Sequence, residues 1–349
     1  MTSPARPRPP GSVAAVTRDE DDAAPVTHIR TFRNTDPPAL AALWNRSVPA
    51  RATARPLSGN DFDTHVVSKP HFDAAGLIVA EQDGRQVGFV HAGFGPSQRL
   101  DVPHQLDCTF GTIAMLVIDP EADAADSALG PRLVAEGREY LRRRGAEVVY
   151  AGGQYPLNPF YWGIYGGSEW AGILTAHASF LRGVVEAGFE PVSTTVLFEA
   201  DLSAAEPRDP RAVLIRRLAR VEITEDVPPR NWWESLALGE FRPTRYRLLS
   251  KADDRELAHA TTWDMNWFGR GDGRVRLGLI DVEVHPQHRR KGYGRHLVAE
   301  ILRQARNDLV SVVAVQTAAT NAPALALYES LHFDPVETSI LYRKPGAGS

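Results

Sequence analysis

From Val284 to Ala299 the chain reads Val-His-Pro-Gln-His-Arg-Arg-Lys-Gly-Tyr-Gly-Arg-His-Leu-Val-Ala, with the spacing Arg289-x-x-Gly292-x-Gly294 at its centre. An apolar strand runs into this basic turn and an amphipathic helix leaves it. Glycine lets the backbone approach a ligand with no Cβ in the way. Successive N–H groups at the mouth of a helix form a concave anion site. Arg289, Arg290, Lys291 and Arg295 place positive charge around that mouth. The chemistry implied is the binding of a pyrophosphate. The Gly-Lys-Ser/Thr ending of a P-loop and the third glycine of the dinucleotide fingerprint are both missing.

A second segment, Asn321-Ala-Pro-Ala-Leu-Ala-Leu-Tyr-Glu-Ser-Leu-His-Phe333, follows the β-branched run Val310–Val315. Asn321 is a candidate N-cap, Pro323 is tolerated in a first turn, and Ala324, Leu327, Tyr328 and Leu331 share a helical face. Taken together, the two segments resemble the GNAT superfamily of acyl-CoA-dependent N-acyltransferases, specifically over residues 275–343. His332 stands where that family usually has glycine.

The resemblance implies a division of labour. The turn from Arg289 through Arg290, Lys291, Gly292, Tyr293 and Gly294 to Arg295 would grip the pyrophosphate of acetyl-CoA. The strand Val282, Glu283, Val284 would splay open to admit the pantetheine, and a backbone N–H there would meet the developing oxyanion. Asn321 and Ala324 would contact the cofactor. Tyr328 would stand beside the sulfur and protonate it, since an ordinary phenol, titrating near about 10, holds its proton at neutral pH.

The amine must also lose a proton. Alternation puts Val275, Leu277 and Leu279 on one strand face and continues that face as Asp281 and Glu283. Glu283, directly or through a water, is the first candidate base and Asp281 the second. Orienting a substrate cation or pairing with an arginine is the competing role for Glu283. Trp263, Trp267 and Phe268 are expected to line the acceptor pocket, with core packing as their alternative. Trp232 and Trp233 beside Glu234, and Tyr155, Tyr161, Trp162, Tyr165 and Trp170, could reach the same cleft.

These residues sit in an alternation of strands and helices that occurs twice. Leu133-Val-Ala-Glu136 recurs as Leu297-Val-Ala-Glu300, and Asn158 and Tyr165 are spaced like Asn321 and Tyr328. The expected class is therefore α/β, an α+β mixed sheet in two tandem GNAT-like domains. Residues 1–25 are expected to be disordered and residues 26–203 to form a degenerate GNAT-like domain with an insertion near 166–179. A linker at 204–210 would then join a catalytic domain at 211–345. The N-terminal copy keeps only Gly130 of the cradle. Ala125 and Ala128 stand for Arg289 and Gly292, and Glu121, Asp123 and Asp126 bring charge that opposes phosphate. This layout is similar to that of mycothiol synthase and other tandem members, in which one copy does the chemistry.

Composition narrows the rest. The 349 residues carry a net charge of −4, which gives no reason to expect a nucleic-acid partner, and no apolar run reaches membrane-spanning length. No secretory signal is visible, so the cytoplasm is the expected location. One cysteine, Cys108, and scattered histidines imply no metal site and no covalent acyl-enzyme. The expected activity is direct acetyl transfer to a primary amine of a small molecule or peptide. A non-catalytic acyl-CoA-binding or sensing protein is the rival, and oligomeric state is left open.

Overall fold

The computed structural model describes residues 26–50, 56–97, 105–154, 156–204, 209–229, 231–238, 240–266 and 272–345. The segment 1–25, Tyr155, Trp267, Phe268 and most of the expected linker lie outside the described residues.

The first half runs through β1 (His28–Thr31), α1 (Pro37–Ser47), α2 (Gly59–Phe62), β2 (Leu77–Gln82), β3 (Arg85–Pro96) and β4 (Leu106–Ile118). It continues with α3 (Pro120–Ala125), α4 (Leu129–Arg143), β5 (Val148–Ala151), β6 (Ile173–Leu174), α5 (Ala178–Glu186) and β7 (Glu190–Asp201). The second half contains α6 (Ala212–Leu218), β8 (Ala219–Thr224), α7 (Trp232–Leu238), β9 (Thr244–Ser250), β10 (Glu256–Asp264) and β11 (Arg276–Val284). It ends with α8 (Tyr293–Asn307), β12 (Val312–Ala318), α9 (Ala322–Ser330) and β13 (Asp334–Arg343).

All the strands belong to one mixed sheet, ordered β1-β2-β3-β4-β5-β13-β7-β12-β11-β10-β9-β8, with β6 paired to β13. The two last strands are exchanged: β13 lies beside β5 of the first half, while β7 lies beside β12 of the second. The exchange joins the two stretches expected from sequence, 26–203 and 211–345. Each half of the sheet is completed by a strand from the other. The antiparallel β7–β13 pair is the seam.

The main helices cover the sheet with their apolar faces. α4 buries Leu129, Leu133, Val134, Tyr140 and Leu141, and α8 buries Leu297, Val298, Ile301, Leu302 and Ala305. Each leucine or isoleucine so covered contributes about 1.5–3 kcal/mol relative to exposure.

Helix bounds also fix the internal repeat. The helices α4 and α8 coincide at an offset of 293 − 129 = 164, and α5 and α9 at 322 − 178 = 144. The first half therefore carries 164 − 144 = 20 extra residues between β5 and α5. Two expectations change. The extra chain precedes α5 and includes Tyr165, rather than following it. The counterpart of Tyr328 is Val184, at 328 − 144, and that of Asn321 is His177, the α5 N-cap. A matched pair of letters seven apart misled because the insertion displaces the chain by nearly the same length.

Candidate active site

The strand β11 pairs in parallel with β12 only over Arg276–Gly278 against Val312–Ala314. Beyond that the strands part. On its other edge, β11 carries an extra residue between the pairs Thr261↔Ile280 and His259↔Glu283, and Asp281 sits there at φ +55°. This bulge re-aims the strand end. It also overturns the parity expected from sequence: the apolar face of Leu277 and Leu279 continues into Val282 and Val284, which pack with α8, while Asp281 turns with Ile280 toward the other face.

At the end of β11 the turn forms the cradle. Pro286–His288 make one 3₁₀ turn, Arg290 lies at φ +66°, and Gly292 caps α8 at φ +89°. Left-handed residues two apart curl successive N–H groups toward one point. His296 N–H is met by the Gly292 carbonyl at 3.0 Å, and the N–H groups of the turn before it are those a helix leaves without partners of its own. A Cβ on Gly294 would come to 2.9 Å from Val284 Cγ2, so only glycine leaves this approach open. Arg289, Arg290 and Lys291 are exposed around the mouth, with Arg289 Nε donating to the Val284 carbonyl at 3.2 Å. Tyr293 is half-buried with its ring edge-on to His288. These groups fit a diphosphate. Arg295, grouped with the cradle from sequence, instead reaches α9 and donates to the Ser330 carbonyl at 2.6 Å. Asn321 caps α9 by accepting the Ala324 N–H at 3.4 Å and donates to Thr317 Oγ1 at 3.1 Å.

The corresponding turn of the first half is closed. The α3 helix fills it, Ala128 stands before α4 at φ −81°, and Gly130 packs against Gly183 of α5, where an added Cβ would be 3.4 Å from Gly183 Cα. Asp126 pairs with Arg132 at 2.7 Å and Asp123 with Arg182.

Where β11 and β12 part, a cavity of about 390 Å³ opens between the halves. Ile280 and Asp281 line it from β11, Gln316, Thr317 and Ala318 from β12, and Asn231, Glu234 and Ala237 from α7 or just before it. The first half contributes Gln154, Trp162, Glu169, Trp170 and Thr195. Of the aromatics named from sequence, Trp162 and Trp170 reach this cavity. Tyr161 and Tyr165 are buried in the first half, Tyr161 bonded to His91 and Tyr165 accepting the Leu174 N–H at 3.0 Å. Trp233 is buried against His71. Trp263 is not a wall of the cavity. It is 1% exposed over Gly278, and its indole N–H donates to the Ser168 carbonyl at 2.9 Å.

Glu283, the first candidate base, also lies off the cavity. Its side chain is 55% exposed, 3.9 Å from His259 Nε2. Asp281 lines the cavity but is engaged, with Arg245 Nη1 at 3.4 Å and His259 Nε2 at 3.7 Å.

The carboxylate that sequence reasoning missed is Glu169. It comes from the insertion, where no periodicity marks it; the only local signal is Gly166-Gly-Ser-Glu-Trp170, a glycine turn presenting an acid beside an aromatic. The second half clips this turn on both sides. Trp263 holds the Ser168 carbonyl, and Gln316 Nε2 holds the Trp170 carbonyl at 3.0 Å. Burial raises the proton affinity of Glu169 and the charge of Asp281 adds to it, against a hydrogen bond from the Asp281 backbone N–H. Its pKa is pushed up to about 7.

Tyr328 is 4% exposed, its ring between Phe198 and Phe333. Burial holds its pKa far above the usual phenol value, and the nearby charge of Glu169 raises it further.

A splayed strand pair beside a glycine turn that opens a helix is the feature that this α/β fold presents at the end of β11. Residues 213–333 match the family described as Acetyltransferase (GNAT) family. The chain is 37% identical over 130 residues to a mycothiol acetyltransferase of Sanguibacter keddieii, a match over 36% of this chain and 38% of that one. It is 31% identical over 106 residues to the [ribosomal protein bS18]-alanine N-acetyltransferase of Salmonella typhimurium, over 30% of this chain and 64% of that one. The match thus spans little more than a third of the first relative's length. The fold is also that of a tandem GNAT protein from the clavulanic acid biosynthesis pathway, with a TM-score of 0.62 and 15% identity over 93% of this chain and 99% of that one. Among the described residues no helix is long and apolar enough to cross a membrane, and no cluster of three metal-ligating side chains is present.

Proposed function

We propose that this protein is an N-acetyltransferase that moves an acetyl group from acetyl-CoA directly to a primary amine of a small molecule or peptide, with the cytoplasm as its compartment. The observation that carries this reading is the parting of β11 from β12, which leaves a cavity large enough for an acceptor on a strand that leads into the glycine cradle, with Tyr328 near enough to Glu169 of that cavity to feel its charge.

In this reading Arg289, Arg290, Lys291 and the N–H groups before α8 hold the pyrophosphate. Val282, Glu283 and Val284 offer backbone along the pantetheine, Asn321 and Ala324 flank it from α9, and Tyr328 gives its proton to the departing sulfur. The phenol makes no hydrogen bond among the described residues, so its proton is not committed elsewhere. Cys108 lies on β4 and does not line the cavity, which supports transfer without a covalent acyl-enzyme. Trp162 and Trp170, rather than Trp263, would contact the acceptor. Because the relatives named above act on either mycothiol or a ribosomal protein, the acceptor class stays as broad as a primary amine.

The test is thiol release from acetyl-CoA over a panel of amines, run beside calorimetric titration with CoA. Binding with turnover on one or more amines supports the reading. Binding with no turnover on any acceptor favours an acyl-CoA sensor instead.

A further inference from the structure

The acyl-transfer reading needs a proton acceptor, and neither carboxylate expected from the sequence fits well. Glu283 faces solvent, and Asp281 is held by Arg245 and His259. On that reading, we infer that Glu169, delivered into the cavity by the insertion of the first half, is the base that takes the proton from the acceptor amine. The N-terminal half would then supply a catalytic group, not only a scaffold.

Three observations carry this. Glu169 lines the cavity shared by both halves, together with Gln316, Thr317 and Ala318 of β12. The backbone on either side of it is clipped by Trp263 and Gln316, which removes the freedom a loop residue usually has. Its carboxylate lies beside Asp281 on the cavity wall and has acceptor capacity for an amine proton. No lysine or arginine pairs with it among the described residues. The titratable groups facing it are Asp281 from β11, Glu234 from α7 and Tyr328 from α9, with Arg245 and His259 behind Asp281. A carboxylate with a pKa near 7 is matched to taking a proton from an ammonium at neutral pH.

The step balances. The acceptor arrives as an ammonium and gives one proton to Glu169. The nitrogen bonds the acetyl carbon, and the carbon–sulfur bond breaks with its electron pair on sulfur, which takes the Tyr328 proton. The second proton lost by nitrogen returns to the phenolate. One proton per turnover leaves through Glu169 to solvent.

The experiment compares wild type, Glu169→Gln and Glu169→Asp on an amine turned over by the wild type. Glu169→Gln is expected to lose about 10²- to 10⁴-fold in kcat, to lose the acidic limb of the kcat–pH profile near neutrality, and to keep its calorimetric affinity for CoA. Glu169→Asp should recover part of the rate with the limb restored. Independently of turnover, infrared difference spectra of the ligand-free protein should show a carboxyl titrating near neutral pH that is absent in Glu169→Gln. A wild-type acidic limb that persists in Glu169→Gln, or unchanged turnover, overturns this inference and leaves the acyltransferase reading standing. A wild type that binds CoA but acetylates no amine overturns both.

Discussion

The carboxylate of Glu169 and Asp281, the bulge residue held at φ +55°, line one cavity from the two halves of the chain, close enough for the Asp281 charge to act on Glu169. A loop of the first half, held by Trp263 and Gln316, thereby meets the point where the strand of the second half turns away from its neighbour. The same contact sets the charge balance of the cavity, because the Asp281 side chain pushes the Glu169 proton affinity upward while its N–H pulls it down.

Stability should reveal this balance. Glu169 has an ordinary value of 4.5 and a folded value of about 7. Between those pH values the unfolded chain has ionised while the folded protein keeps its proton, so raising the pH through this window costs the fold stability. The cost is complete above about pH 7, at no more than roughly 3 kcal/mol. Glu169→Gln should therefore melt higher than wild type at about pH 8 and equally at about pH 4, measured by calorimetry in both buffers.

Asp281→Asn removes one of the two causes of that shift and keeps the backbone N–H in place. The acidic limb of the rate profile, and the infrared carboxyl transition, should both move to lower pH. A move upward would mean that Asp281 acts on Glu169 other than through its charge.

Tyr328→Phe keeps the ring between Phe198 and Phe333 and removes only the hydroxyl. Turnover should fall by about 10²-fold or more, with CoA affinity and melting temperature close to wild type. Since burial and the Glu169 charge both raise the phenol, the wild type should show no loss of activity from tyrosine ionisation below about pH 10. Equal losses in binding and rate would assign Tyr328 to packing.

Gly294→Ala places a methyl 2.9 Å from Val284 Cγ2, and Gly292→Ala forces a side chain into φ +89°. Each should weaken CoA binding by at least about tenfold, the second also costing about 1 kcal/mol or more of stability. Titration calorimetry on the two variants gives both quantities when paired with thermal melts.

Wild type should bind one CoA per chain. In the first half, α3, Ala128 and the Gly130–Gly183 contact close the place where a second cradle would lie. A stoichiometry of two would mean that these helices separate.

The shape of the turn before α8 was legible because it is set locally. Glycines at fixed spacing, cations beside them and a capped helix specify backbone shape within a few residues, so Arg289 to Gly294 and the α8 and α9 faces could be read directly. The paired offset of α4 and α8 was visible for the same reason. What the tertiary structure alone decided depends on chain segments far apart. The β11 bulge shifted Asp281 and Glu283 off the face that alternation assigned them, and a single extra residue is invisible to a period of two. Strand exchange at β7 and β13 is a matter of pairing partners, which no local pattern encodes. The role of Glu169 arises only when an aperiodic insertion folds against Trp263, Gln316 and Asp281, because its proton affinity is set by burial and by a charge 112 residues away, at 281 − 169.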